Sequence, residues 1–299
     1  MNCDSVEQFF YLKGYTVLEF VSSSKGAEYY LLVKSDDNPT SESEGDKTTN
    51  SMKLFAKSVI IKKNNAKRKL GEVATIVSLG YHPNLVEYVD SFINYDRLNI
   101  IFKYCDKGSL ESIIKNRKKR HFSEKTIVNW ITQILCGIKK IHDAGLIHRD
   151  IKADNVLLDS EGLIKICDFG IAKKSDLLNT FCGTMSYISP EIHQNDVYGP
   201  KTDIWSAGVL LYYLIKLKLP FGYRKSEYQN IIRLICTQQL PPLPKGYSIE
   251  LRQLCYKMLT KQHELRPDVY ELLREDIIQE ELKRHIKQLK AGENNIKNN

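Results

Sequence analysis

The sequence predicts an α+β protein of two lobes, a small strand-rich one followed by a larger helical one. Three observations predict it. Up to about Tyr104 the apolar residues come in short clusters rich in Val, Ile, Tyr and Phe, as strands require. After Gly108 they recur at three- and four-residue spacing, which lines one face of a helix. With 299 residues, 42% hydrophobic and 27% charged, the chain has room for one large or two modest domains, and collagen-like or wholly disordered readings are excluded.

The elements follow in order. Tyr29–Val33, Leu85–Val89 and Asn99–Phe102 read as strands. Between the first two, Ala66–Ser78 reads as a helix with Leu70, Val73 and Val77 on one face. Ser35–Asn50 holds no large apolar residue and is expected to be an acidic, mobile surface loop. In the second part, Ser123–His142 carries a helical stripe from Ile127 to Ile141, and the Ser123 hydroxyl suits its N-cap. Asp203–Lys216 is apolar nearly all round, so a buried helix is expected. Ser226–Thr237, Ser248–Leu259 and Asp268–Leu273 add further helices. A charged helical tail is expected over Glu275–Lys290, docked on the large lobe or, alternatively, binding a partner, with disorder expected from Asn294.

The net charge of +8 fits nucleic acid, acidic lipid or a phosphate-bearing ligand. Composition alone does not choose. The excess is uneven: Lys53–Glu72 carries +6 and Lys103–Lys125 carries +5. The seven cysteines include no Cys-x-x-Cys pair, which gives zinc and thioredoxin-like chemistry no support. No signal peptide and no apolar run near a membrane span's length of ~18 residues is visible, so a cytoplasmic setting is expected, with no membrane partner.

The chemistry concentrates in His148-Arg149-Asp150-Ile151-Lys152-Ala153-Asp154-Asn155, followed thirteen residues later by Asp168-Phe169-Gly170. Two carboxylates and an amide on neighbouring loops suit phosphoryl transfer: one carboxylate takes a hydroxyl proton, while amide and second carboxylate offer oxygens to Mg²⁺. Lys152 can neutralise charge on the group in flight.

In this order and spacing the residues resemble a eukaryotic protein kinase of the serine/threonine type. The segments YISPEI, LPPLPKGYS and LRPDVYELL are most similar to the NIMA-related (Nek) kinases. The resemblance implies the bilobal kinase fold over 9–273, with a small lobe 9–104, a large lobe 105–273 and a tail 274–299. It implies ATP and Mg²⁺ as cofactors, protein Ser/Thr hydroxyls as acceptors, and an upstream kinase or autophosphorylation in trans, with no specific nucleic acid.

By the same resemblance, Asp150 is the base, Lys152 and Thr184 attend the transferring phosphate, and Asn155 and Asp168 hold metal. Glu191 is expected to pair with Arg266. Ser51-Met52-Lys53-Leu54 is similar to the family's A-M-K-L strand, making Lys53 the partner of Glu72; Lys57 is the rival. Phe102 stands as gatekeeper, with the backbone of Lys103 and Cys105 at the adenine edge and Leu157 also in the nucleotide site. The family's glycine loop is replaced: Ser22, Ser24 and Ala27 stand for its three glycines after Val21, Gly26 is one residue out of register, and Tyr29 stands for the Val that roofs adenine. A scaffold with impaired ATP binding is therefore the alternative reading. Thr180 matches the activation-loop phosphosite, with Arg149, Lys173 and Arg68 as its cations, and Ile171 resembles members that favour threonine. Cys105, Cys167 and Cys182 are read as packing residues.

Overall fold

The computed structural model describes residues 3–24, 26–34, 52–118, 120–170, 172–174, 184–221 and 228–297. The acidic loop 35–50, Ser51, Ile171, Thr180 and Cys182 lie outside them. The chain divides into two compact units, Met1–Tyr81 with Val86–Cys105 and His82–Leu85 with Asp106–Asn299.

The first unit is a five-stranded antiparallel sheet with two helices. In chain order it comprises α1 (Cys3–Leu12), β1 (Tyr15–Ser24), β2 (Ala27–Lys34), β3 (Lys53–Ile60), α2 (Ala66–Leu79), β4 (Tyr88–Asn94) and β5 (Arg97–Lys103). The strands lie in the order β1-β2-β3-β5-β4. Because side chains alternate across a strand, Tyr30 and Leu32 of β2, Leu54 and Ala56 of β3 and Ile101 of β5 share one face. Phe10 of α1 and Tyr15 close over them as a buried cluster. The opposite face takes Tyr29, Phe55, Lys57 and Phe102. Gly26, at φ +78°, makes the β1–β2 turn in a conformation that costs other residues strain. Two register shifts interrupt β1, at Val17/Glu19 and Phe20/Ser22.

Two expectations for this unit need correction. The strand expected at Leu85–Val89 begins only at Tyr88, because Leu85 instead bridges Ile166 in parallel in the second unit. Helix α2 spans the expected residues, yet it buries Glu72, Ile76 and Leu79 and leaves Leu70 and Val77 exposed. Its buried face is the Glu72–Ile76–Leu79 stripe rather than the Leu70–Val77 one.

The second unit is helical: α3 (Leu110–Asn116), α4 (Glu124–Asp143), α5 (Pro190–His193), α6 (Lys201–Lys216), α7 (Tyr228–Thr237), α8 (Ile249–Met258), α9 (Val269–Leu272) and α10 (Asp276–Lys297). Two small hairpin-like sheets, β6 (Leu146–Ile147) with β9 (Lys173–Lys174) and β7 (Val156–Leu158) with β8 (Ile164–Ile166), carry the loops between α4 and α5. Ser123 caps α4, its hydroxyl accepting from the Thr126 amide at 3.2 Å, and Ser248 caps α8 through Leu251 at 3.1 Å. Asp268 and Glu271 form a capping box on α9. Helix α6 is buried along nearly its whole length, and a Cβ on Gly208 would meet Met258 and Leu259 at about 3 Å, so only glycine lets α6 lie this close to α8.

The tail does dock. Helix α10 lies on α4, with Ile278 and Glu281 buried, and continues to Lys297, beyond the expected onset of disorder at Asn294. A line of side-chain amides runs inward from it. Asn129 Nδ2 donates to Glu281 Oε1 at 2.9 Å, and Gln133 Nε2 donates to Asn129 Oδ1 at 2.8 Å. Gln133 Oε1 in turn accepts from the Ile164 amide at 2.8 Å and from Asn84 Nδ2 at 3.0 Å.

The expected pair of Arg266 with Glu191 is present and bidentate, at 2.8 and 2.9 Å, with both side chains buried. Arg266 also donates to the carbonyls of Thr260 and Lys201. Burial opposes ionisation of Glu191, but the hydrogen bonds and charge of Arg266 outweigh it and hold the carboxyl below its ordinary range. Since the folded value is the lower one, the pair's contribution is full above about pH 5 and drains away as the pH falls through the folded value. Arg266→Met, which strands the buried carboxylate, is expected to cost about 3–5 kcal/mol at neutral pH in urea unfolding, with a smaller loss under acid conditions.

Candidate active site

The second unit gathers its chemistry on the segment between β6 and β7. Lys152 Nζ donates to Asp150 Oδ2 at 2.7 Å and to Thr184 Oγ1 at 2.7 Å, while Thr184 Oγ1 donates to Asp150 Oδ1 at 3.0 Å. The three side chains close a triangle. Asn155 Nδ2 donates to the Asp150 carbonyl and to its Oδ2, both at 2.9 Å, which leaves Oδ1 as the amide atom available to a cation. The Cys167 amide donates to the Asn155 carbonyl at 2.9 Å, tying the Asn155 turn to the strand end that leads into Asp168. Asp168 is exposed and sits at φ +65°, a left-handed conformation that costs a non-glycine residue about 1–3 kcal/mol.

Beneath the triangle, His148 orders the loop. Its Nε2 lies 3.1 Å from the Cys167 carbonyl, which only accepts, so Nε2 carries the proton and Nδ1 takes the Asp150 amide at 3.3 Å. The ring meets Phe169 edge-on at 5.1 Å. Asp203, on the first turn of α6, accepts from the His148 amide at 2.9 Å, the Arg149 amide at 2.8 Å and His142 Nε2 at 2.9 Å. Burial opposes its charge, yet the His142 side chain and the loop donors outweigh burial and hold its carboxyl below the ordinary range. Arg149, strained at φ +69°, is fixed by this bond, and its guanidinium donates to Tyr198 Oη at 3.1 Å.

In the first unit the basic partner of Glu72 is Lys57, whose Nζ lies 2.6 Å from Oε1. Glu72 is buried and Lys57 nearly so. This corrects the expectation that Lys53 makes the pair. Lys53 opens β3 on the same face, four residues and about 13 Å along the strand from Lys57, and is exposed.

The protein kinase domain family matches residues 42–278. The chain belongs to the protein kinase family. It is 35% identical over 269 residues to the serine/threonine-protein kinase Nek3 of Mus musculus, covering 88% of this chain and 49% of the relative. To Nek5 of Homo sapiens it is 39% identical over 203 residues, 66% of this chain and 28% of the relative. To Nek4 of Mus musculus it is 33% identical over 270 residues, 86% and 34% respectively. The chain thus spans half or less of the length of these relatives.

Within this kinase domain the structure places the other expected site residues as follows. Val21, Ser22 and Ser24 lie on β1 and Ala27 opens β2, with Gly26 spent on the turn itself. Tyr29 is the direct partner of Lys57 across β2 and β3. Phe102 is buried on β5, the Lys103 amide donates to Glu87, and Cys105 is buried after the strand. Leu157 is half-buried on β7. Of the expected phosphothreonine cations, Arg68 is exposed on α2, Arg149 is buried against Tyr198, and the backbone of Lys173 pairs with Ile147. Asp203, His142 and Tyr198 escaped the sequence reading as site residues. The signal available was one acid on an otherwise apolar helix, since such a charge needs donors nearby.

Asp203→Asn sets an amide nitrogen against a backbone donor. The substitution is expected to lower stability by about 3 kcal/mol in chemical denaturation.

Proposed function

We propose that this chain is a Mg²⁺-dependent protein kinase that transfers the γ-phosphate of ATP to serine or threonine hydroxyls of proteins. The observation that carries it is the Asp150–Lys152–Thr184 triangle with Asn155 bonded to the same carboxylate. Asp150 accepts the proton of an incoming hydroxyl, and its orientation is already set by three donors, so little reorganisation remains for the reaction itself. Lys152 supplies a positive charge beside the transferring group. The donor set fits Mg²⁺: Asn155 offers an amide oxygen and Asp168 a carboxylate, both hard oxygen ligands, with further positions left to phosphate and water. Bound there, the ion would neutralise charge on the phosphate oxygens.

Lys57, oriented by Glu72, grips the nucleotide phosphates in this reading. The chain retains Lys57, Glu72, Asp150, Asn155 and Asp168 together, a set that a purely binding module does not need. Protein substrates and an activating kinase, or trans-autophosphorylation at Thr180, complete the proposed cycle. A phosphate at Thr180 would find Arg149 among its cations, at the cost of the bond to Tyr198.

Transfer of labelled phosphate from Mg²⁺·ATP to a generic protein tests the reading. Asp150→Asn is expected to lose about 10²-fold or more in rate. Lys57→Met should fall similarly while Lys53→Met stays within about twofold of the parent, and the reverse ranking would restore Lys53. Thr180→Ala should lower turnover about tenfold or more, and unchanged turnover in fully dephosphorylated enzyme would count against the phosphosite.

A further inference from the structure

Assigning the pair to Lys57 changes which residue stands two positions before it. That residue is Phe55 rather than Ser51, so a phenyl ring occupies the place of the Ala in the kinase strand motif A-M-K. Phe55 and Lys57 lie on one face of β3, about 7 Å apart along the strand. Tyr29 is the partner of Lys57 and Leu31 that of Phe55, which makes Tyr29 the diagonal neighbour of Phe55 on that face. The two rings stack, with centroids 5.7 Å apart and planes at 20°. Tyr104 extends the row at 6.5 Å and 29° from Phe55, and Phe102, the partner of Phe55 on β5, is buried.

At that separation and tilt the two rings stack on each other beside Lys57. Beside Lys57 that sheet face therefore carries a row of aromatic side chains. A base attached to phosphates gripped by Lys57 and lying along this face would meet these rings.

We propose that Phe55, with Tyr29 stacked on it, is the specificity-determining residue of the base subsite: the rings occupy room that a small residue leaves to the base, so binding draws on the phosphates more than on adenine. The inference rests on the kinase reading, because only a nucleotide held by Lys57 brings a base to this face. It also accounts for Tyr29, which the altered glycine loop left unexplained.

The test compares Mg²⁺·ATP with Mg²⁺·tripolyphosphate, which has no base, by titration calorimetry on the full chain. In the parent protein the two affinities are expected to lie within about threefold of each other. In Phe55→Ala the ATP affinity should rise about tenfold while that for tripolyphosphate stays within about twofold. Tyr29→Val is expected to move in the same direction by less. Should Phe55→Ala unfold, shown by loss of its thermal transition, Phe55→Val carries the same expectation. Unchanged or weaker ATP binding in a folded Phe55 variant overturns the proposal while leaving phosphate transfer by the parent intact. Failure of every form to bind either ligand and to transfer phosphate overturns the kinase reading, and the proposal with it.

Discussion

The loop that carries Asp150 hangs on one buried carboxylate. Asp203 is fully enclosed, and its two oxygens take the amides of His148 and Arg149 as well as the ring of His142. An ion in such a place is tolerable only if every lone pair finds a donor. The first turn of α6 supplies favourable dipole as well. Everything above follows from that bond. It holds Arg149 in a left-handed conformation, which turns the chain so that Asp150 meets Lys152, Thr184 and Asn155. The close approach of α6 to α8 at Gly208, and the Arg266–Glu191 pair that ties Lys201 into the same network, keep the helix that carries Asp203 in place. A core of aliphatic side chains thus fixes a handful of polar atoms to within hydrogen-bonding tolerance.

Much of the second unit was legible because its information is local. His148-Arg149-Asp150 and the following Lys152 and Asn155 are eight residues long, and their mutual contacts need only one turn of 3₁₀ helix. Helix α4 announced itself by its cap residue Ser123, and the structure adds Ser248 and Asp268 as caps of α8 and α9. The first unit was harder. Lys53 and Lys57 lie four apart on one strand, so strand periodicity puts both on the same face and cannot rank them. The choice depends on where α2 presents Glu72, a long-range fact. Helix α2 itself was misread: an apolar stripe through Leu70 and Val77 looked like the inner face, but the buried face is the one that carries Glu72, Ile76 and Leu79. Hydrophobic pattern ranks faces by average burial and has no means of anticipating one strong polar contact.

The amide line from Glu281 to Ile164 has a built-in direction. A carboxylate only accepts and a peptide N–H only donates, so with these at the two ends Asn129 and Gln133 have one consistent orientation between them. Strand β8 is held at Ile164 by Gln133, at Ile166 by the Asn84 carbonyl and just beyond at Cys167 by Asn155. The tail helix is accordingly part of the scaffold that positions the approach to Asp168, rather than an appendage to it. The side-chain oxygen Oδ1 of Asn84, buried without a partner, is the one loose end in this line among the described residues.

Strand β1 carries a different consequence, one of colloidal behaviour. It is the outermost strand of its sheet, ten residues long, with Leu18, Phe20 and Val21 exposed. A long flat edge with apolar side chains invites a neighbouring chain to add a strand. The two register shifts fall within this stretch and break the even row of amide and carbonyl groups, while Ser22–Ser24 end it in polar residues. Without the two shifts the edge would offer a neighbouring chain a more regular row of amides and carbonyls to pair with. The irregularity in β1 makes it a poorer template for strand addition than its length and apolar residues suggest.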